Sequence, residues 1–456
     1  MRVLLVSHRF PPDSLGGVER YTQMLAAELA DGGDLVSIVT RRFGRTPSAP
    51  EMLREQLADG TMVYRFVGGE LHPDRFLLHQ ERLEQLFLDA IIEAAPDVVH
   101  VNHLIGLAPH LVEIAHRQRA AVVLTLHDFY FACPLVHLQK TSGELCGGPA
   151  GGRECARTCF AHEGEGATLR WGLRTAYFRR LLATAERVIV PSEYVGTYFR
   201  AFGVDRSRLC VIPNGISIAP VVPPIRAYGT PRAGGILNLA YIGTVARHKG
   251  VHLILEALAL AGFDAVGLTI LGETPDSVYA RELRERAAAI PGVQLRRYGG
   301  YEPSKLPLLL VEVDCVVVPS QVPESYSLTT REALALGIPV IATRLGALVE
   351  AIVDGENGFM FDHRRPDELA TLLRRLADDE ALLRRLREGA SRTGVVTVPE
   401  HARAVRTIYH EAIDELVRGD DDRRADQEEL DFLQSALPQL GLATPHADAV
   451  HTEANR

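Results

Sequence analysis

The sequence predicts an α/β protein built from two doubly wound domains that face each other across a cleft. Two observations carry this prediction. In both halves of the 456 residues, short apolar runs alternate with amphipathic stretches, which is the pattern of a parallel sheet covered by helices. Between the halves, residues 216–235 are rich in proline, which predicts a linker. The carboxyl ends of two such sheets form crevices where ligands bind.

The N-terminal domain is expected to span residues 1–215. Its predicted strands are short, rich in β-branched residues and bounded by Gly, Pro or Asp: 3–6, 35–39, 98–101, 122–126, 188–190 and 209–212. After the first strand, Val18, Tyr21, Leu25 and Leu29 recur at helical spacing, and a pair of glycines at 32–33 ends that helix.

The C-terminal domain is expected to span residues 236–395 and repeats the same alternation. Its predicted strands are 238–242, 267–271, 293–297, 314–318 and 339–342, and its predicted helices include 251–261, 278–290 and 327–336. Residues 396–418 are predicted to form a helix that crosses back to the N-terminal domain. Residues 419–456 are predicted to be a flexible tail.

Composition excludes several classes of protein. The chain is 46% hydrophobic with a formal net charge of −9, which argues against a disordered chain and against a dedicated nucleic-acid binder. No apolar run approaches the ~20 residues of a membrane span, and the first apolar run is too short for a signal-peptide core. We therefore expect a cytoplasmic protein. Only three of the 49 basic residues are lysines: Lys140, Lys249 and Lys305.

The most specific motif contains two glutamates, Glu324 and Glu332, with seven residues between them. Glu324 follows a predicted strand, and Glu332 lies within the next predicted helix. If both glutamates were in one helix, they would lie roughly 12 Å apart. This distance is too long for the two carboxylates to share a proton, but it suits contacts with the two ends of one extended polar ligand. The backbone amides of Ser327 and Leu328 lie at the helix N-terminus, which favours an anion. The alternative is that both glutamates are solvated surface charges.

Two glycine-containing turns follow predicted strands, one in each domain. In the C-terminal domain the turn at 243–250 places Lys249 at the strand ends, on the side of the Glu324 loop, where an ammonium neutralises a diphosphate. In the N-terminal domain Gly16 and Gly17 precede the first helix, where the backbone can approach a phosphate. An ordinary turn and a surface lysine are the alternatives.

His127 ends the predicted strand 122–126 and is followed by Asp128. At that edge of the sheet its imidazole can hydrogen-bond a sugar hydroxyl or take part in proton transfer. His100 and His103, near another strand end, are competing candidates.

Taken together, residues 1–415 resemble glycosyltransferase family 4, whose members are retaining transferases of the two-domain, Rossmann-like GT-B fold and use nucleotide-sugar donors. The strongest part is the pair Glu324 and Glu332, with the sequence that follows to 342 and the stretch 354–358. The resemblance implies that Glu332 holds the donor ribose, Glu324 the transferred sugar, and Lys249 with the Ser327 and Leu328 amides the diphosphate.

By the same resemblance, Gly16 and Gly17 line the phosphate side of the acceptor domain, and His127 contacts the donor sugar near the reacting carbon. His127, Glu324 and Lys249 are thus the predicted catalytic residues. Family members often carry an arginine directly after the glycine of the lysine turn; here that position is Thr244, and Arg247 is predicted to substitute for it.

The resemblance predicts transfer from a UDP- or GDP-sugar to a saccharide or lipid-linked acceptor, with retention, in polysaccharide or glycoconjugate synthesis and without a catalytic metal. Two alternatives remain open. One is a non-catalytic partner protein that binds a nucleotide sugar or senses metal or redox state. The other is a nucleotide-sugar epimerase of the same fold, which would need an additional acid/base pair.

Four of the six cysteines form a cluster within residues 133–159: Cys133, Cys146, Cys155 and Cys159. In a reducing compartment four thiolates favour a structural zinc, ahead of an iron–sulfur cluster, over disulfides. The alternative is that the cysteines are free or paired. Because the segment starts six residues after His127, we expect it to shape the acceptor pocket.

Residues 169–182 interleave arginines with aromatic residues, including the only tryptophan. Docking against the N-terminal domain explains this pattern. The alternative is peripheral contact with an anionic membrane on the cytoplasmic face.

Overall fold

The computed structural model describes residues 1–14, 16–44, 48–69, 78–217 and 235–418. It divides into two compact units, one formed by Met1–Asn214 with the C-terminal helix and the other by Gly215–Thr397. Most of the predicted linker and the whole predicted tail, 419–456, lie outside the described residues.

The strands of unit 1 are β1 (Arg2–Val6), β2 (Leu35–Arg42), β3 (Glu51–Gln56), β4 (Met62–Val67), β5 (Val98–Val101), β6 (Ala121–Thr125), β7 (Arg187–Val190) and β8 (Leu209–Val211). Where described, they form one sheet in the order β3-β4-β2-β1-β5-β6-β7-β8. All neighbouring pairs are parallel except β3 and β4, which pair antiparallel at one edge.

The helices of unit 1 are α1 (Gly17–Asp31), α2 (Glu81–Ala94), α3 (Leu111–Arg117), α4 (Ala167–Thr184), α5 (Glu193–Phe202) and the C-terminal α13 (Val398–Arg418). A π-helical turn, Cys155–Cys159, and a 3₁₀ segment, Ala161–Gly166, precede α4. Because side chains alternate along β1, Leu4 and Val6 enter one core, and Val3 and Leu5 enter a second core on the opposite face. Burial on both faces explains why these strands are apolar throughout.

The strands of unit 2 are β9 (Leu237–Ile242), β10 (Val266–Leu271), β11 (Val293–Gly299), β12 (Cys315–Val318), β13 (Val340–Thr343) and β14 (Gly358–Phe361). They form a parallel sheet in the order β11-β10-β9-β12-β13-β14. The order reverses between β9 and β12, which is the position where ligands bind in open α/β sheets.

The helices of unit 2 are α6 (Val251–Ala261), α7 (Ser277–Ala288), α8 (Leu306–Leu309), α9 (Leu328–Ala335), α10 (Leu348–Ala351), α11 (Pro366–Asp378) and α12 (Glu380–Arg392). As in unit 1, alternate residues of the first strand serve two cores: Leu239 and Tyr241 pack on one face, and Ala240 and Ile242 on the other. Among the described helices, none combines the length and apolar character needed to cross a membrane.

The predicted α/β class with two doubly wound domains is confirmed, since each unit is a helix-covered sheet whose strands are parallel except for the β3–β4 pair. Three strands were not predicted: β3 and β4, which form the antiparallel edge of unit 1, and the four-residue β14. The predicted strands and helices otherwise agree with the structure to within a few residues at their ends.

Candidate functional site

The turn after β9 carries Lys249. Residues Arg247–Lys249 form a 3₁₀ turn, and Gly250 follows with φ 74°, in the left-handed region that favours glycine. A Cβ atom on Gly250 would lie 2.0 Å from the carbonyl oxygen of Pro319. Because only glycine avoids this clash, the turn can lie directly against the loop that follows β12.

The loop after β12 carries Glu324 and is held from two sides. The Gln321 amide donates to the carbonyl oxygen of His248 over 2.8 Å, and the Ala347 amide donates to the carbonyl oxygen of Glu324 over 2.7 Å. A Cβ atom on Gly346 would lie 2.3 Å from that carbonyl oxygen. The Glu324 backbone is therefore fixed between the turns that follow β9 and β13.

The structure brings the side chains of Lys249 and Glu324 together. The Lys249 Nζ atom donates to Glu324 Oε1 over 2.7 Å, and the side chains are 31% and 14% exposed. Burial of the Glu324 carboxyl disfavours its ionised form, but the Lys249 charge and hydrogen bonds from Lys249 and Ser320 outweigh it and lower the pKa of Glu324. The result is an ion pair at the carboxyl edge of the sheet.

Helix α9 begins directly beyond this loop. Its N-cap residue, Ser327, has φ 63° and accepts a hydrogen bond from the Thr330 amide through its hydroxyl. Leu328 is the first helical residue, and Glu332 is a buried residue further along the same helix. Because the first amides of a helix have no intrahelical acceptor, this N-terminus can receive an anion.

Thr244 and Arg247 lie in the same turn as Lys249, but Arg247 is engaged elsewhere. Its guanidinium donates to Glu282 Oε2 of α7 over 2.5 Å and lies 4.8 Å from the centre of the Tyr279 ring. Thr244 is exposed, and its carbonyl oxygen accepts from the Tyr241 hydroxyl over 2.7 Å. Roles for these two residues at the diphosphate remain predictions.

Gly16 and Gly17 lie at the N-terminus of α1, Gly16 as N-cap and Gly17 as first helical residue. The Glu19 side chain folds back over this end of the helix. It comes so close that a Cβ atom on Gly16 would lie 2.4 Å from Glu19 Oε2. The Ser14 hydroxyl donates to Glu19 Oε1 over 2.7 Å. A negative charge of the chain itself thus lies at this N-terminus, and phosphate binding there remains a prediction.

His127 lies just past the end of β6 and is buried, with its ring 4.3 Å from the Tyr21 ring centre in an edge-on contact. Burial, reinforced by His103 and His401 and opposed by Asp128, lowers the pKa of His127 to about 3. The imidazole is therefore neutral at pH 7, when it offers one hydrogen-bond donor and one acceptor. This favours a hydrogen-bonding role over proton transfer.

Beside His127 lies a second cluster of polar side chains, which the sequence analysis did not identify as a cluster. His103 Nδ1 accepts from the Ile105 amide over 3.1 Å, so its Nε2–H donates to Asp128 Oδ2 over 2.9 Å. The His8 ring lies 4.4 Å from the His103 ring. His8, His103 and Asp128 follow β1, β5 and β6, which are neighbours in the sheet. The order of these strands in the sheet would have predicted that the three residues lie close together.

His100, the other competing candidate, is structural. Its two ring nitrogens hydrogen-bond the hydroxyls of Tyr409 and Thr125 over 2.7 and 2.6 Å inside the core.

The four clustered cysteines are free thiols, and Cys133, Cys146 and Cys159 lie close enough to Cys155 to interact with it electrostatically. Burial, with the charges of Cys133, Cys146 and Cys159, raises the pKa of Cys155 to about 12. Among the described residues, one set of at least three His, Cys, Asp or Glu side chains has ligand atoms within 4.8 Å of one another, and it contains no cysteine. The thiols are thus not arranged as metal ligands here, and the zinc site remains a prediction.

Helix α4 contains the arginine- and aromatic-rich stretch 169–182. Trp171, Tyr177 and Phe178 are buried, and the buried Arg174 donates to the carbonyl oxygen of Tyr130 over 2.7 Å. The aromatic side chains that would enter a membrane are packed inside unit 1, which supports the docking alternative.

Two family models match consecutive parts of the chain. Residues 15–219 match the model described as Glycosyltransferase Family 4, and residues 235–393 match Glycosyl transferases group 1. Among curated relatives, a D-inositol 3-phosphate glycosyltransferase of Pseudarthrobacter chlorophenolicus is 26% identical over 88% of this chain and 92% of its own length. A glycogen synthase of Mycobacterium tuberculosis is 26% identical over 84% and 88%.

Solved structures show the same fold. Anabaena HepE in complex with UDP has a TM-score of 0.63 at 18% identity, covering 90% of this chain and 100% of HepE. Sucrose-phosphate synthase of Thermosynechococcus elongatus has a TM-score of 0.65 at 20% identity, covering 90% and 98%. With two consecutive family matches spanning most of its length and the two parallel α/β units of the GT-B fold, the chain belongs to glycosyltransferase family 4.

Proposed function

We propose that this chain transfers a sugar from a nucleoside-diphosphate sugar to a saccharide or lipid-linked acceptor, with retention of anomeric configuration. The contact between Lys249 and Glu324 beside the N-terminus of α9 carries the proposal. A UDP-sugar is the first donor to test, since HepE was solved with UDP and with UDP-glucose; a GDP-sugar is the second.

Lys249 is suited to bind the diphosphate while it stays paired with Glu324. An ammonium has three N–H donors, and one of them serves Glu324 Oε1. The other two can donate to phosphate oxygens, and the amides of Ser327 and Leu328 add the N-terminal field of α9. A cation and a helix N-terminus together stabilise the charge that develops on the departing diphosphate.

The two glutamates have different tasks in this proposal. Glu324, kept ionised by Lys249, accepts hydrogen bonds from hydroxyls of the transferred sugar. Glu332, buried in α9, accepts hydrogen bonds from the ribose hydroxyls, because a carboxylate can receive several donors at once. One donor molecule would therefore extend along the loop and helix that carry both residues.

His127 completes the proposed set without acting as a base. Its neutral imidazole would hydrogen-bond a donor-sugar hydroxyl near the anomeric carbon. The acceptor hydroxyl attacks on the face that the diphosphate leaves, and the leaving phosphate oxygen takes the acceptor proton. On this route catalysis depends on positioning and on stabilisation of the leaving group, which fits a histidine that does not titrate near pH 7.

A donor panel tests the proposal. The purified chain is heated with UDP-, GDP- and ADP-sugars to find the donor that raises the melting temperature. Release of the nucleoside diphosphate and the anomeric configuration of the product are then measured. We expect Lys249→Ala and Glu332→Ala to lower kcat/KM by about 100-fold or more. Lys305→Ala is the matched control, since Lys305 is an exposed lysine of the same unit paired with Glu302.

Three results would contradict the proposal. Turnover at the wild-type rate in both Lys249→Ala and Glu332→Ala would exclude the assigned site. Donor binding without turnover for any acceptor would favour a non-catalytic binding protein. Conversion of the donor sugar to its epimer without an acceptor would favour an epimerase.

A further inference from the structure

Three side chains of unit 1 that the proposed transfer reaction does not use converge at the start of two helices. His79 precedes α2, Glu84 lies near the beginning of that helix, and His110 is the N-cap residue of α3. Their nearest ligand atoms all lie within 4.8 Å of one another. Glu84 and His110 are buried, and His79 is half-buried with 27% of its side chain exposed.

The two oxygens of Glu84 have different partners. Oε1 accepts a hydrogen bond from the backbone amide of Gln80 over 2.6 Å, which fixes the carboxylate at the N-terminus of α2. Oε2 lies 2.7 Å from His79 Nδ1 and 3.8 Å from His110 Nε2. Ligand atoms around a tetrahedral zinc with bonds of 2.0–2.1 Å stand about 3.4 Å apart. To bind one ion together, the His79 contact, now at hydrogen-bond distance, would lengthen by about 0.7 Å and the His110 contact would shorten by about 0.4 Å.

The orientation of His110 is set by a second carboxylate. Its Nδ1 lies 3.3 Å from Glu113 Oε2, and the Tyr177 hydroxyl donates to Glu113 Oε1 over 3.0 Å. With Nδ1–H donating to Glu113, the lone pair of Nε2 is directed towards the Glu84 carboxylate. The 3.8 Å between His110 Nε2 and Glu84 Oε2 leaves room for a metal ion that both atoms bind, and a carboxylate behind a histidine is the usual outer partner of a metal-bound imidazole.

We propose that His79, Glu84 and His110 bind a divalent transition-metal ion, with zinc as the preferred ion. Two imidazole nitrogens and one carboxylate oxygen form a ligand set typical of zinc, with a fourth position open to water. Glu113 positions His110 through its Nδ1–H. The ion joins the beginnings of α2 and α3 and balances the two buried carboxylates of Glu84 and Glu113.

The backbone holds the two ligand-bearing segments against each other. The amide of His110 donates to the carbonyl oxygen of the buried Leu78, the residue before His79. The backbone thus holds the two histidines at adjacent positions although they are far apart in sequence. A site arranged in this way loses little entropy on metal binding.

The test uses Co²⁺ as a spectroscopic substitute for zinc in the full chain after removal of metals with a chelator. We expect one equivalent to bind with ligand-field bands of a nitrogen and oxygen site. We also expect no thiolate-to-cobalt charge transfer from this equivalent, which distinguishes it from any metal held by the cysteine cluster. His79→Ala should weaken this binding by at least about 100-fold.

Two further variants make the result decisive. His162→Ala, an exposed histidine of the same unit, should bind cobalt as the wild type does. Cys146→Ser/Cys159→Ser, which alters two half-buried thiols, should keep the nitrogen and oxygen spectrum. In addition, Zn²⁺ should raise the melting temperature of the wild type but not of His79→Ala. Cobalt bound only with thiolate charge transfer, or bound equally well by His79→Ala, would overturn the proposal.

Discussion

At the scale of single residues, Lys249 and Glu324 form an ion pair at the carboxyl edge of the unit 2 sheet. The pair is mostly buried, so its charges interact more strongly than surface charges do. Its hydrogen bond also holds the Lys249 ammonium in place. Because the two residues belong to different loops, the pair couples the position of the β9 turn to that of the β12 loop.

A double-mutant cycle should measure this coupling. Lys249→Ala leaves a buried carboxylate without its ammonium and should lower the free energy of unfolding of unit 2 by roughly 1–3 kcal/mol. Adding Glu324→Gln should restore part of that loss, because the uncompensated charge is then absent. Urea titration of the wild type, both single variants and the double variant gives the coupling energy. Additive effects would show that the pair contributes nothing to stability.

Gly250 should be among the least replaceable residues near the pair. Alanine at this position must adopt φ 74° and would bring its Cβ atom to 2.0 Å from the Pro319 carbonyl oxygen. We expect Gly250→Ala to lower the free energy of unfolding of unit 2 by roughly 2–4 kcal/mol. Gly355→Ala is the control, because Gly355 has φ 82° and a Cβ atom added there would meet open space, with nothing within 4 Å. It should cost only about 1–2 kcal/mol, and equal costs would exclude the contact as the cause.

At the scale of elements, α13 completes the core of unit 1. Val405, Tyr409 and Ala412 are buried against the β1 face that also receives α1. Two neutral histidines fasten it: His401 bridges the Pro213 carbonyl oxygen and the Tyr21 hydroxyl, and His100 meets the Tyr409 hydroxyl. The helix is therefore held by polar contacts that depend on uncharged imidazoles.

The docking of α13 should weaken in acid. Burial lowers the pKa of His401 to about 4, below the usual value of 6.5. The unfolded chain therefore takes up the proton first, and the stability that neutral His401 contributes above pH 6.5 is lost between pH 6.5 and 4. At pH 5 the loss is about 2 kcal/mol. His401→Gln should show a smaller fall in unfolding free energy from pH 7 to 5, whereas His410→Gln, an exposed residue of the same helix, should follow the wild type.

Most of the strands that the sequence predicted are buried on both faces, because continuous apolar runs mark them. Strand β3 was missed because it is a largely exposed, polar edge strand. Strand β4 was missed because it contains Arg65, a buried cation that pairs with Glu55 and Asp13. A charged residue inside a strand interrupts the apolar run by which a buried strand is recognised. Its burial becomes understandable only when its ion-pair partners are known.

The candidate site could be predicted where it depends on strand ends. It could not be predicted where it depends on which side chains pair with each other. The proximity of Lys249 to Glu324 follows from β9 and β12 being adjacent parallel strands. Arg247 instead pairs with Glu282, which a neighbouring helix supplies. No sequence motif predicts that His79 and His110 lie close together, because their proximity depends on how α2 and α3 pack.

At the scale of the whole molecule, each hydrophobic core formed by the described residues belongs to a single unit. The cores around β1 are formed by residues of unit 1 alone, and those around β9 by residues of unit 2 alone. Since cooperativity in unfolding follows shared cores, the units should unfold in two steps. The chain nevertheless enters unit 1 twice, because α13 returns to it after unit 2.

Calorimetry of the full chain should therefore resolve two transitions, which the variants above assign. Gly250→Ala should lower the melting temperature of the unit 2 transition only, and His401→Gln should reduce the acid sensitivity of the unit 1 transition. UDP, the first candidate ligand, should raise the Gly250-sensitive transition, because Lys249, Glu324 and Glu332 all lie in unit 2. At 100 times its dissociation constant, the added stability is about 2.7 kcal/mol. A single transition shifted by every variant would contradict the inference that the two units unfold separately. A UDP effect confined to the unit 1 transition would contradict the inference that unit 2 binds the nucleotide.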